Sequence, residues 1–195
     1  MSIIFKKKKN GETNMFWIIA LIIIVVFIGF WGISIYNQLI SSREFVRNSM
    51  GNIAAQVESR WDAVSSLIGA TKKYSTHEAE TLTNITAMRS KVDKTSEPSA
   101  VEKDDSLFEQ AMNQLNLVVE NYPDLKADSV YIQTMEGIDK YENNVRQARM
   151  VYNDTVTKLN RQVQQFPSSI VAGMFRFNQE SYFQSSSDKS DVPKW

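Results

Sequence analysis

The chain has 195 residues, enough for one modest folded domain. It has no cysteine, which excludes disulfides, thiolate catalysis and zinc–cysteine sites, and its single histidine, His77, excludes a multi-histidine metal site within one chain. The formal net charge is zero, with +3 in residues 1–14 and −3 in the rest. The slightly acidic main domain argues against nucleic-acid binding, because that needs clustered positive charge.

Residues 15–35 form a long apolar stretch, MFWIIALIIIVVFIGFWGISI, without a charged residue. As a helix rising about 1.5 Å per residue, it spans roughly 30 Å, the hydrocarbon thickness of a bilayer. A cleaved signal peptide is the alternative, but the apolar core of such a peptide has only about 7–15 residues. No A-x-A-like cleavage site follows here either. The sequence therefore predicts an uncleaved signal anchor, a single transmembrane helix.

The charges that flank this stretch predict its orientation. Four consecutive lysines precede it: Lys6, Lys7, Lys8 and Lys9. Only Arg43 and Arg47 follow it closely. Because excess positive charge stays in the cytoplasm, we expect a cytoplasmic N-terminus and a large domain outside the cell membrane. The same lysines are candidates for contact with anionic lipid headgroups.

From residue 36 the sequence has the pattern of an amphipathic helix, with apolar residues three or four positions apart. The stripe consists of Leu39, Val46, Met50, Ile53, Val57, Trp61, Val64 and Ile68. Nothing before this stripe breaks a helix, so we predict that the transmembrane helix continues into it as a stalk. Gly51 is the weak position, since glycine costs about 1 kcal/mol relative to alanine in a helix.

Two shorter helices are predicted next. A turn at residues 69–76 precedes a helix that carries Leu82, Ile85 and Val92 and ends in Lys91 and Lys94. Residues 95–106, TSEPSAVEKDDS, are interpreted as a loop because of their proline, serines and mixed charge. A third helix starts within or directly after this loop and is stopped by the proline at position 123.

The last long helix has the most regular pattern, close to the heptad repeat of a coiled coil. Its stripe consists of Tyr131, Met135, Ile138, Tyr141, Val145, Ala148, Tyr152, Val156, Leu159, Val163 and Phe166. Pro167 ends it, and a short apolar helix with an aromatic exit follows. We expect the serine-rich residues 184–195 to be a flexible tail.

These segments predict an all-α protein. Four amphipathic helices joined by short loops bury their stripes most simply in a long antiparallel up-and-down bundle, here continuous with the transmembrane helix. The expected organisation is a basic tail at residues 1–14, the transmembrane helix at 15–35, the helical bundle at 36–183 and the flexible tail at 184–195.

Several motifs in the bundle region are more specific than a helical stripe. They are NYPDLKAD at 121–128, YENNVRQARMVYNDTVTKLNRQVQQFP at 141–167, and VAGMFRF at 171–177 followed by Tyr182 and Phe183. Weaker matches are YNQLISSREFV at 36–46 and KKYSTHE at 72–78. With these motifs, in collinear order, the chain resembles the LemA family of bacterial single-pass membrane proteins.

The resemblance implies an N-terminal membrane helix and an antiparallel four-helix domain, and it implies no enzymatic activity. Some family members look like accessory partners of membrane proteases or of membrane-remodelling systems. The chain departs from the family pattern at residues 60–69, RWDAVSSLIG, where the family segment reads like R-x-D-L-I-P-N-L-V. The missing proline and asparagine suggest a diverged member.

Few residues of the sequence suit a catalytic or metal site. His77 and Glu78 begin like the zinc motif H-E-x-x-H, but Thr81 occupies the second histidine position, so a polar helix start is the better interpretation. Asp104 and Asp105 are interpreted as solvated loop carboxylates. The sequence has no G-x-S-x-G, Walker or dinucleotide-binding glycine pattern. We therefore predict no catalytic residue, no metal site and no cofactor.

The exit segment after the last long helix is the main candidate for an interaction surface. Its apolar and aromatic residues are Val171, Met174, Phe175, Phe177, Tyr182 and Phe183. The alternative is that this segment folds back and caps the end of the bundle.

The preferred functional hypothesis is a non-enzymatic, membrane-anchored helical adaptor or scaffold. Its expected partners are the lipid bilayer, another envelope protein such as a membrane protease, or a second copy of the chain. The alternative is a structural, membrane-organising protein that assembles into a homo-oligomer through the bundle or through the face with Gly29 and Gly32. An enzyme would require a composite site across subunits.

Overall fold

The computed structural model describes residues 2–71 and 78–184, without the side chains of residues 2–14, 70 and 71. Within these ranges the protein consists of six helices and has no strand, which confirms the predicted all-α class. The helices are α1 (Ser2–Thr71), α2 (Ala79–Ala87), α3 (Pro98–Glu120), α4 (Pro123–Lys126), α5 (Ser129–Gln164) and α6 (Ser168–Met174).

Helix α1 is 70 residues long and runs without a break from the apolar stretch into the folded domain. At about 1.5 Å per residue it measures about 105 Å. The helix contains no proline, and it passes through Gly51, the weak position of the sequence pattern, unbroken. Large apolar side chains between Met15 and Ile33 are exposed, whereas from Leu39 onwards one stripe is buried. The predicted continuity of the two helices is confirmed.

Helix α5 packs antiparallel to the second half of α1. Asn144 donates a hydrogen bond to Gln56 at 3.1 Å, and the Lys158 ammonium lies 6.0 Å from the ring centroid of Phe45. Residue numbers therefore rise along α1 as they fall along α5. The side chain of Asp128 caps the start of α5 by accepting from the backbone of Val130, which satisfies one of the free amides of the first turn.

Helix α2 has only nine residues and ends at Ala87, so the prediction that it extends to Lys94 is wrong. Residues 88–92 are not helical, and after them comes a turn in which the Asp93 carboxylate accepts from the backbone and the hydroxyl of Thr95. The Ser96 hydroxyl accepts from the backbone of Asp93. Such side-chain bonds compete with helical ones, and those from Thr95 also lower the pKa of Asp93.

Helix α3 begins at Pro98, inside the stretch interpreted as a loop. Proline suits the first helical position, because its fixed backbone angle matches the helix and its missing amide has no partner there. Most of residues 95–106 therefore belong to α3. The helix ends before Pro123 as predicted, and Pro123 itself begins the single turn of α4.

One hydrophobic core joins these helices, with buried residues from α1, α2, α3, α5 and α6. The long antiparallel pair of α1 and α5 is its largest part. Since α2 is short and residues 88–97 are not helical, four helices of similar length are not present among the described residues. The up-and-down bundle order stays a prediction.

Candidate functional site

A buried ion pair connects α1 to α3. The Arg60 guanidinium donates to Asp104 at 2.8 Å, with Arg60 3% and Asp104 0% exposed. The Trp61 indole donates to the same carboxylate at 3.0 Å, and so does the hydroxyl of Ser90. Both oxygens of Asp104 thus have donors, as a carboxylate removed from water requires.

Asp105 extends the ion pair to a third helix. It accepts from Arg60 at 3.2 Å and also from Arg149 of α5. We call Arg60, Asp104, Asp105 and Arg149 the charge cluster. The Arg60 guanidinium also stacks 4.0 Å from the ring centroid of Phe108. The charge cluster is electrically balanced and joins α1, α3 and α5 at one level.

The interpretation of Asp104 and Asp105 as solvated loop carboxylates is wrong. Both residues lie in α3, and Asp104 is fully buried. Because α3 starts at Pro98, Asp104 falls between Val101 and Phe108 on the inward stripe of the helix. Extending the apolar spacing backwards from Phe108 would have found this position, and the loop assignment prevented that.

An open groove of about 850 Å³ lies over the charge cluster, between α3 and α5. It combines basic, acidic and apolar side chains, which include Arg146, Arg149, Glu109, Glu142, Met112 and Met150. Phe183 and Gln184 line the groove as well. The groove is therefore an amphipathic surface between two helices, and its charged groups are of both signs.

Residues 178–184, which we call the strap, run along α5 in a non-helical conformation. The side-chain amide of Asn160 donates to the backbone carbonyl of Glu180 at 2.9 Å and accepts from the backbone N–H of Glu180 at 2.8 Å. The amide of Asn153 makes the same pair of bonds with Phe183, at 3.1 and 2.9 Å. Both asparagines therefore bind the backbone of the strap.

The spacing of these asparagines matches the spacing of the residues they bind. Seven residues of helix rise about 10.5 Å, and three residues of extended chain span about 10 Å. Ser181 lies between the two bound strap residues, and its carbonyl accepts a hydrogen bond from the Tyr152 hydroxyl at 3.2 Å. Burial, with Glu180 and Glu97 nearby, raises the pKa of Tyr152 to about 12. Sequence reasoning missed Asn153 and Asn160, whose seven-residue separation was the available signal.

The predicted interaction residues of the exit segment fall into two groups. Three are buried: Val171, Phe177 and Phe183. Three are exposed: Met174, Phe175 and Tyr182. The Phe183 ring packs edge-on against Tyr152 at 5.1 Å between centroids, which places the strap against the core. The segment therefore contributes both to the core and to the surface.

The remaining predicted features are the N-terminal lysines, the absence of a metal site and the membrane helix. Lys6, Lys7, Lys8 and Lys9 lie in α1, and their side chains are outside the described residues, as is His77. In the part of the chain that the structure describes, no group of three or more His, Cys, Asp or Glu side chains is placed to hold a metal ion. One described helix, α1, is long and apolar enough to cross a membrane.

Comparison with known proteins identifies the family. The sequence profile of the LemA family matches residues 49–195. The chain belongs to the LemA family. A curated relative, Protein LemA of Metamycoplasma hominis, is 28% identical over 182 residues, which cover 91% of this chain and 81% of the relative. The charge cluster, the groove and the strap all lie within the part of this LemA protein that the family profile matches.

Proposed function

We propose that this LemA protein is a membrane-anchored, non-enzymatic adaptor whose groove binds an extended segment of another envelope protein. The observation that carries the proposal is the strap. Helix α5 already holds one extended segment by its backbone, through Asn153 and Asn160. The groove lies further along the same helix, and Phe183 and Gln184 of the strap line it.

The groove supports a partner segment of mixed character. Arg146 is exposed on α5 and offers a charged donor to an acidic side chain. Met112 and Met150 offer flexible apolar surface, which adapts to different side chains. The charge cluster below gives the groove a rigid floor, since it links three helices. A membrane protease is among the envelope proteins that the proposal includes.

The anchor of the proposed adaptor is the first part of α1. Its large apolar side chains between Met15 and Ile33 are exposed over a length that matches a bilayer. We place this part across the cell membrane once, with Lys6 to Lys9 in the cytoplasm and the helical domain outside. The continuous helix α1 then holds the groove at a constant distance from the membrane.

Photocrosslinking in intact membranes tests the proposal. A benzophenone amino acid replaces Met150, which lines the groove, or Leu117, an exposed apolar residue of α3 that does not. We expect adducts with one envelope protein from position 150 and not from position 117. Mass spectrometry of the adduct identifies the partner segment, which is then synthesised and titrated against the purified full-length protein.

The titration decides the proposal. Arg146→Glu should weaken binding of the synthetic segment about tenfold, because it places a negative charge against the acidic side chain of the segment that Arg146 is proposed to bind. The matched control is Arg47→Glu, an exposed arginine of α1 outside the groove, which should leave binding unchanged. Equal adducts from positions 150 and 117 would contradict the proposal. Adducts with a second copy of the chain alone would favour the homo-oligomer instead.

A further inference from the structure

Four large apolar side chains are exposed at one end of the helical domain, and we call them the α6 patch. They are Phe166, Ile170, Met174 and Phe175, which are 80%, 57%, 72% and 53% exposed. Ile170 and Met174 are four residues apart in α6 and so lie on one face of it. Large apolar side chains exposed close together in the chain are typical of a place of interaction with a protein or a membrane.

The α6 patch lies where α1 leaves its apolar stretch. The Phe175 ring packs against Tyr36 with 4.6 Å between centroids, and Tyr36 directly follows residues 15–35. The antiparallel order of α1 and α5 gives the same position independently. Lys158 lies beside Phe45, so α5, which ends at Gln164, finishes near the beginning of the buried stripe of α1.

The charges around the α6 patch suit a lipid surface. No residue from 162 to 175 is charged. Directly after this stretch comes Arg176, which is exposed, and the Arg43 guanidinium lies 5.2 Å from the ring centroid of Phe177. An apolar face with a basic border is the composition of segments that lie in the interface between headgroups and acyl chains.

We propose that the α6 patch inserts into the surface of the membrane that α1 crosses, where it binds lipid. It would be the second membrane contact of the protein, after the anchor in α1. The inference rests on the proposed anchoring by α1. A lipid surface is the occupant because Tyr36 joins the patch to the end of the anchor, so that any bilayer around residues 15–35 is adjacent to it. Two contacts with one membrane hold the domain, and thus the groove, in one orientation.

Spin-label depth measurements test this inference on the full-length protein. The chain has no cysteine, so each introduced cysteine carries the only label. The variants are Met174→Cys in the α6 patch, Val25→Cys in the anchor and Leu117→Cys on α3. Each is reconstituted in vesicles of phosphatidylethanolamine and phosphatidylglycerol. Accessibility to oxygen, which concentrates in lipid, is compared with accessibility to a water-soluble nickel chelate.

We expect the labels at positions 174 and 25 to be more accessible to oxygen than to the nickel chelate. The label at position 117 should be more accessible to the nickel chelate. We expect a label depth at position 174 of about 5–10 Å, the depth of interfacial helices. Ile170→Cys should give the same result as Met174→Cys, so that a local disturbance at one position does not decide the outcome.

Three results would overturn the inference. A water-exposed label at positions 170 and 174, with a lipid-exposed label at 25, refutes the second contact and leaves the anchor intact. A water-exposed label at position 25 refutes the anchor, and the inference with it. Shielding of position 174 from both reagents, with dipolar broadening between labels, shows that a second copy covers the patch.

Discussion

At the scale of single residues, Asp104 is a buried charge with a complete set of hydrogen-bond donors. Its carboxylate is fully buried and has donors from Arg60, Trp61 and Ser90. A buried ion pair adds little net stability compared with apolar residues, but loss of one partner is costly because the other charge stays buried. The cluster therefore selects one register of α3 against α1.

We expect Asp104→Asn to destabilise the domain by about 3 kcal/mol, since Arg60 then keeps only Asp105 as a charged partner. The measurement is thermal unfolding of the full-length protein in detergent micelles, followed by circular dichroism at 222 nm. The matched control is Asp62→Asn, which breaks the surface ion pair with Arg89 and should cost less than about 1 kcal/mol. Equal losses in the two variants would show that burial of the cluster does not matter.

At the scale of elements, the strap depends on two asparagines of α5. Asn153 and Asn160 each bind both backbone groups of one strap residue. The strap in turn covers Tyr152, and burial, together with Glu180, raises the pKa of its hydroxyl to about 12. The ionisation of Tyr152 is therefore a reporter of whether the strap is bound.

We expect the double variant Asn153→Ala and Asn160→Ala to release the strap and lower the pKa of Tyr152 towards its usual value of about 10. The measurement is tyrosinate absorbance at 295 nm, with and without Tyr152→Phe to isolate this residue. Asn144→Ala, which affects only the bond to Gln56, is the control and should leave the pKa unchanged. An unchanged pKa in the double variant would contradict the role of the asparagines.

The raised pKa of Tyr152 also makes the stability of the domain depend on pH. The folded state favours the neutral phenol, so the stabilising contribution of Tyr152 is fully present below about pH 10. It is lost as the pH rises through about 12. Release of the strap should remove this loss, because the pKa of Tyr152 is then similar in the folded and unfolded states.

Element boundaries were predictable where the apolar pattern was regular. In α5 the stripe from Tyr131 to Val163 agrees with the helix Ser129–Gln164, because its apolar residues recur on one face of the helix. Phe166, the predicted last residue of the stripe, lies beyond the helix and is exposed. In α2 the pattern extended to Val92, and the helix stops at Ala87. Further along that stretch, the hydrogen bonds of Asp93 with Thr95 form a turn, which apolar spacing does not predict.

At the scale of the whole molecule, α1 joins the apolar stretch to the folded domain without a hinge. We expect protease treatment of intact cells to digest a tag at the C-terminus and to spare a tag at the N-terminus, because the proposed orientation places Lys6 to Lys9 in the cytoplasm. Cells opened by detergent are the control, in which both tags should be digested. Protection of the C-terminal tag alone would reverse the proposed orientation.

The sequence by itself determined the helical class, the continuous first helix, the apolar stretch and the resemblance to the LemA family. These follow from local properties, namely side-chain period, the absence of proline and short motifs. Only the tertiary structure decided that Asp104 is buried, that two asparagines hold the strap and that the α6 patch lies beside Tyr36. Each of these needs residues that are 20 or more positions apart to meet, and spacing along one helix does not encode which faces of different helices pack together.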